Sequence, residues 1–205
     1  MKSQARTARW AAVASVAIAL GLHTSGLLPS RLPELARMPL AASVGGPFEL
    51  TAHDGKRFSS ASLAGKPFAL FFGFTQCPDI CPTTLLEMSN HLTRLGDKAR
   101  DLHVIFVTVD PERDTPQHLA AYLKNFDPRI VGLTGSDTEI AAAAKGWNAH
   151  HQKLPESDGT TTIVHSAHVY LMDADNRLAA TLNFQEPEAL QLAKLKALLA
   201  GRSAN

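Results

Sequence analysis

From Phe48 onward the apolar residues switch between two periods. "KPFALFFGFT" (66–75) and "LHVIFVTVD" (102–110) are continuous apolar runs, the pattern of strands buried on both faces. "IVGLTGS" (130–136) is a shorter run of the same kind. Between the runs the spacing becomes helical. In "CPTTLLEMSNHLTRLG" (81–96), Leu85, Met88, Leu92 and Leu95 fall three or four apart, and Gly96 marks the stop. "TPQHLAAYLKNF" (115–126) predicts a helix with Pro116 in its first turn, and "DTEIAAAAKGW" (137–147) a third. "EPEALQLAKLKALLAG" (186–201) predicts a last helix, with Pro187 early and Gly201 past its end. Two segments read as hairpins: "PFELTAHDGKRFSS" (47–60) around Asp54-Gly55, and "SAHVYLMDADNRLAATLNF" (166–184) around Asp175-Asn176. This order predicts an α/β fold, in which βα units supply parallel strands and the late hairpin supplies antiparallel ones. The expected result is a mixed central sheet with helices on both faces, an N-terminal hairpin and a late β-hairpin.

The first residues follow another pattern. Lys2, Arg6 and Arg9 precede "WAAVASVAIALGL" (10–22), an uncharged run that approaches membrane-spanning length if it continues to Leu28. A signal peptide and an uncleaved signal anchor both fit a basic flank before an apolar run. The anchor is favoured, because the residues after "AIAL" make a poor cleavage site. "LLPSRLPELARMPLAAS" (27–43) has three prolines and reads as a tether. The organisation predicted is residues 1–28 as signal anchor or signal peptide, 29–44 as tether, and 45–205 as the folded domain. That domain lies on the exported side, membrane-anchored in the periplasm, or free in the periplasm if the segment is cleaved.

Composition narrows the function. The 205 residues suffice for one domain with a core, and 45% hydrophobic content is ordinary for a globular chain. A formal net charge of +1 gives no sign of a nucleic-acid binder.

The chemistry gathers at the two cysteines, Cys77 and Cys81, in "FALFFGFTQCPDICPTT" (68–84). A cysteine pair directly after the first long strand, where a helix begins, suggests a thioredoxin-like arrangement. Residues i and i+4 share a helix face, so both sulfurs converge if both enter the first turn, and the helix N-terminus favours thiolates there. Converging thiolates form a disulfide, exchange disulfides, or hold a soft metal ion. A purely stabilising disulfide would close a loop of only a few residues, where the entropic gain is smallest. A metal needs further donors, and the chain has nine histidines. His53 lies near a turn, His91 and His118 fall on helices, and His103 starts a strand, so each reads as a surface or half-buried residue. His150-His151, a pair in a polar loop, is a secondary metal candidate. His165 and His168 flank the entry to the late hairpin, beside the cysteine loop in a thioredoxin-like layout. His165 is the candidate third donor and His168 a strand residue. Two thiolates and an imidazole suit copper, with the thiolates favouring Cu(I) and the imidazole also accepting Cu(II). Zinc normally takes four ligands.

Two further segments have alternative readings. In "DPERDTP" (110–116), Asp114 or Thr115 can cap the following helix, or Asp110 or Arg113 can shape the surface near the cysteines. Asp79, between the cysteines, either tunes their charge or is a solvated turn residue.

"FGFTQCPDICPTTL", "VTVDPERDTPQHLAAYLKNF", "GLTGS" and "HSAHVYLMD" resemble the Sco/SenC family over about Phe48 to Leu199, in the expected order. The resemblance implies a membrane-tethered thioredoxin-like domain facing the oxidising side. It implies a copper metallochaperone for assembly of the dinuclear copper centre of cytochrome c oxidase, with Cys77, Cys81 and His165 as copper ligands. It also implies partners: the copper-bearing oxidase subunit, a copper donor protein and a thiol reductant. The family's histidine usually follows an aspartate, where this chain has Val164, and "WNAHHQKLPESDGTTTIV" (147–164) lacks the family's tyrosines. His168 stands where the family usually has an apolar residue. The alternative is a thiol-disulfide oxidoreductase that reduces the cysteines of a copper site, with Cys77 and Cys81 as the redox pair. Against it, thioredoxin enzymes usually carry CxxC and a proline facing it, whereas here the spacing is CxxxC and no proline lies between Pro155 and Pro187. A peroxiredoxin-like peroxidase fits less well, since its threonine stands three residues before the cysteine and Thr75 stands two before Cys77.

Overall fold

The run Phe68–Gly73 forms β3 and is buried at every position. It pairs in parallel with β4 (His103–Thr108), which pairs in parallel with β5 (Ile130–Thr134). The computed structural model of the chain describes residues 44–155 and 161–201. The N-terminal hairpin, β1 (Glu49–Ala52) and β2 (Arg57–Ser59), joins the far side of β5 antiparallel. The late hairpin, β8 (Val169–Met172) and β9 (Leu178–Leu182), joins β3 on the other side. The seven-stranded order is β2-β1-β5-β4-β3-β8-β9. Asn176 adopts a positive φ of 59° in the turn of the late hairpin, a conformation asparagine tolerates well.

Alternate residues of β3 feed two cores. Phe68, Leu70 and Phe72 face one side with Ile140, Ala143 and Trp147; Ala69 and Phe71 face the other with Leu85, Leu92 and Leu119. Helices therefore cover both faces, as the pattern predicts. The first core contains α3 (Asp137–Gly146); the second contains α1 (Ile80–Leu95), α2 (Pro116–Leu123) and α4 (Glu188–Leu199). Local chemistry sets the helix starts. Ser136 and Glu139 form a reciprocal capping box on α3. Thr115 caps α2, with Pro116 following in its first turn.

The segment read as a polar loop around His150-His151 departs from expectation. It enters a second, two-stranded antiparallel sheet, β6 (His151–Pro155) with β7 (Thr161–His165). Its sequences, "HQKLP" and "TTIVH", lack clean apolar alternation: Ile163 is buried, while Gln152 and Lys153 are exposed in succession. His165 therefore ends β7 instead of opening the late hairpin. The signal segment 1–28 and most of the tether 29–44 lie outside the described residues. Among the described residues no helix is long and apolar enough to cross a membrane.

Candidate metal centre

The register of β3 and β4 sets Gly73 beside Thr108, so the loops after both strands leave the sheet at one edge. These are carboxyl ends of parallel strands, where open α/β sheets form their clefts. The loop after β3 carries the cysteines. Only Cys81 enters the first turn of α1; Cys77 lies in the loop before it, because the helix begins at Ile80. Cys77 is half-buried and Cys81 buried, and both are free thiols. The Cys81 N–H donates to Cys77 Sγ at 3.4 Å, occupying one of the orphan donors of a helix N-terminus. Gly73 makes room for this packing: a Cβ there would stand 2.7 Å from Cys81 Sγ and 2.8 Å from the Phe106 ring.

His165 arrives from the end of β7. Its Nε2 lies 3.4 Å from Cys81 Sγ, and its Nδ1 is 2.9 Å from the Ser166 carbonyl. The carbonyl can only accept, so Nδ1 carries the proton and Nε2 presents its lone pair to the thiol. The ring packs edge-on against Phe74, centroids 5.7 Å apart. Burial holds His165 below the ordinary histidine range, with the nearby Ser166 and Phe72 carbonyls pushing it upward. It is neutral near pH 7. Burial pushes the Cys81 thiol well up, and the nearby Cys77 and Asp114 add to the effect. One ligand atom each from Cys77, Cys81 and His165 lie within 4.8 Å of one another. The donor set, two thiols and a neutral imidazole, fits a soft or borderline metal ion.

The other candidates separate. His168 packs edge-on against Tyr170, ring centroids 4.4 Å apart, and is not part of the cluster. It does not share an extended strand with His165, since β7 ends at His165 and β8 starts at Val169. Asp79 sits at the N-cap position of α1, exposed, without a side-chain bond to the helix backbone. His150 is exposed, and His91 is buried against Gln191 at 2.9 Å, remote in sequence from the site. A cavity of about 350 Å³, lined by Gly45, Phe68, Trp147 and Met172 among others, opens at the beginning of β3, the end away from the cysteines.

The pattern of the sequence does not reveal what holds the cysteine loop. Asp114 is fully buried. Its carboxylate accepts from the Thr75 N–H at 3.0 Å, the Thr75 hydroxyl at 2.5 Å and the Thr108 hydroxyl at 2.6 Å. The Thr75 hydroxyl, having given its proton to Asp114, accepts from His118 Nε2 at 3.0 Å. Helix capping falls to Thr115, not Asp114. Arg113 bridges the buried Asp110 and the Gln76 side chain, the latter at 2.8 Å. Asp110 and Arg113 thus shape the site's rim, and Lys153 of β6 extends the rim to Glu112 at 2.9 Å. Thr75 and Thr108, polar residues closing two apolar runs, were the available signal.

A thioredoxin-like sheet with a CxxxC pair at its carboxyl edge, completed by a histidine from an added hairpin, defines the class of protein. The SCO1/SenC family profile matches residues 36–200. The chain belongs to the SCO1/SenC family. It is 41% identical over 135 residues to Protein SCO1 homolog 1, mitochondrial, of Arabidopsis thaliana, covering 65% of this chain and 40% of that relative. The chain thus spans less than half of that relative's length. The structure of Bradyrhizobium japonicum ScoI with copper bound superimposes with TM-score 0.70 at 43% identity, covering 76% of this chain and 99% of that one. BsSco, described with a disulfide switch as a member of the Sco family of cytochrome c oxidase assembly proteins, superimposes with TM-score 0.61 at 32% identity, covering 79% of this chain and 96% of that one.

Proposed function

We propose that this chain is a copper metallochaperone for assembly of the dinuclear copper centre of cytochrome c oxidase, with copper as its cargo. Cys77, Cys81 and His165 hold the ion. The observation that carries this reading is the convergence of two thiols and one neutral imidazole within 4.8 Å, from segments 84 residues apart. Thiolates suit Cu(I), and the imidazole extends the site to Cu(II). The copper-bound ScoI relative supports the choice of metal. Because Cys81 is held protonated by burial, loading releases protons and strengthens as pH rises. The domain works on the periplasmic side, anchored by residues 1–28. It receives copper from a donor protein and passes it to the copper-bearing oxidase subunit.

The half-exposed Cys77 beside the buried Cys81 supports a second reading, thiol-disulfide reduction. There the Cys77 thiolate attacks a partner disulfide and Cys81 resolves the mixed disulfide. The two thiols give two electrons and two protons, the partner ends as a dithiol, and this chain ends as the Cys77–Cys81 disulfide. A thiol reductant restores it.

The test is Cu(I) titration of the reduced full chain with the metal counted per chain, beside Cys77→Ser, Cys81→Ser and His165→Ala. One copper per wild-type chain and none tightly held by either serine variant is expected. His165→Ala is expected to lose the wild-type Cu(II) charge-transfer spectrum while keeping disulfide exchange. Full binding by a serine variant overturns the site; an unchanged Cu(II) spectrum in His165→Ala moves the reductase reading ahead.

A further inference from the structure

The hairpin that carries His165 to the cysteines carries a second imidazole. His151 opens β6, His165 closes β7, and the two are direct partners in the antiparallel register. Directly opposed residues project from the same face, with Cβ atoms about 4.5–5.5 Å apart. His151 therefore stands beside the histidine that touches Cys81. It is half-buried, and among the described residues no hydrogen bond occupies either of its ring nitrogens. Its neighbour His150 differs in placement: it precedes the strand and is exposed.

The donor count gives His151 a role. Cys77, Cys81 and His165 supply three donors, enough for Cu(I) on thiolates, whereas Cu(II) prefers tetragonal sites richer in nitrogen and oxygen. We infer that His151 is a fourth protein ligand, engaged when the copper is Cu(II). This rests on the copper reading above and deepens it. His151 stands outside the trio that meets within 4.8 Å. It joins by turning about its two side-chain torsions from a position the strand pairing already fixes. The consequence is a site whose preference between oxidation states is set partly on the hairpin: removing one imidazole weakens Cu(II) and spares Cu(I).

The experiment uses the reduced full chain loaded with Cu(II), counting imidazole nitrogens from their electron paramagnetic couplings, together with Cu(I) and Cu(II) affinities. The variants are His151→Phe, which keeps ring bulk, His151→Gln, which keeps polarity, and His150→Phe. Wild type is expected to show two coupled imidazoles and each His151 variant one. Cu(II) affinity is expected to fall about 10-fold or more, the range for loss of a group that tunes a metal site. Cu(I) affinity stays at the wild-type value, and His150→Phe matches wild type throughout. A wild-type spectrum with a single imidazole, or His151 variants with wild-type spectra, overturns the inference and leaves the three-ligand site standing. Equal loss of Cu(I) and Cu(II) in both His151 variants also overturns it, since that is the mark of a structural role. A wild-type chain that holds no copper sinks the underlying reading as well.

Discussion

Asp114→Asn tests whether the buried carboxylate holds the cysteine loop in place. The side chain keeps its shape and loses its charge and one acceptor. Three donors now converge on two carboxylate oxygens: the Thr75 N–H, the Thr75 hydroxyl and the Thr108 hydroxyl. An amide can satisfy only part of this set. The Thr75 hydroxyl already accepts from His118, so it cannot exchange roles without leaving its own proton unplaced. Hydrogen bonds to a charged group contribute about 1.5–3 kcal/mol and neutral ones about 0.5–1.5. The variant loses one bond and weakens two, while avoiding the desolvation of a buried charge. The net expectation is a loss of about 2 kcal/mol, or roughly 4–8 °C in melting temperature for a domain of this size. The loss falls on the loop that positions Cys77, so Cu(I) affinity should drop as well, by about 10-fold. Thermal unfolding followed by circular dichroism, with Cu(I) competition on the same samples, checks both. Wild-type melting refutes the hydrogen-bond argument. Reduced melting with wild-type Cu(I) affinity refutes the claim that Asp114 positions the site.

Gly73→Ala places a Cβ 2.7 Å from Cys81 Sγ and 2.8 Å from the Phe106 ring. Overpacking of this kind costs about 1–3 kcal/mol. A lower urea midpoint and weakened Cu(I) binding are expected, and a wild-type midpoint would show that the neighbours yield freely. Stability should also fall as pH drops from 7 towards 5. Burial depresses His103, His151, His165 and His168 from the ordinary 6.5. The unfolded chain then binds more protons than the folded one, so their contribution is full above 6.5 and is lost as pH falls through the folded values. Urea midpoints across that range check this, and a flat or rising profile would refute it.

The sheet, its helices and the cysteine pair were legible because each follows from local periodicity. "FALFFG" is apolar at every position but its closing glycine, and becomes a central strand buried throughout. The β6–β7 hairpin was not legible, since its half-exposed strands carry no run of alternating apolar residues. The histidine was placed by analogy of position, and the backbone that delivers it differs from the reading: a strand end, followed by a break before β8. Asp114 was missed for a further physical reason. A sequence offers the same residue as a helix cap and as a buried acceptor, and only the approach of Thr75, 39 residues away, distinguishes them. His118, read as a surface or half-buried residue on a helix and exposed in the structure, is tied to the loop only by the folded arrangement.

Copper should protect the hairpin more than the sheet. The proposed ligands join the loop and α1 to β7, so the ion bridges two parts of the structure that few other contacts connect. Among the described residues, β6 and β7 pair only with each other, and an isolated two-stranded hairpin is marginal. What fastens it is modest: buried Ile163, the contact of His165 with Phe74, and Lys153, which pairs with exposed Glu112 and lies 3.8 Å from buried Asp110. Local opening of the hairpin should thus need less free energy than global unfolding. Opening carries His165 away from the cysteines and releases the ion. Each opening event therefore acquires the binding free energy, about 2.7 kcal/mol at free copper 100 times the dissociation constant. Amides of β6 and β7 should then exchange about 100-fold more slowly with Cu(I) than without it. Amides that exchange through fraying of β2 or the end of α4 should not change, because those openings leave the ligands together. Hydrogen exchange resolved by residue, with and without copper, separates the two sets. Uniform slowing would mean that the hairpin opens only with the whole domain. No slowing in β6 and β7 would mean that His165 does not hold the ion.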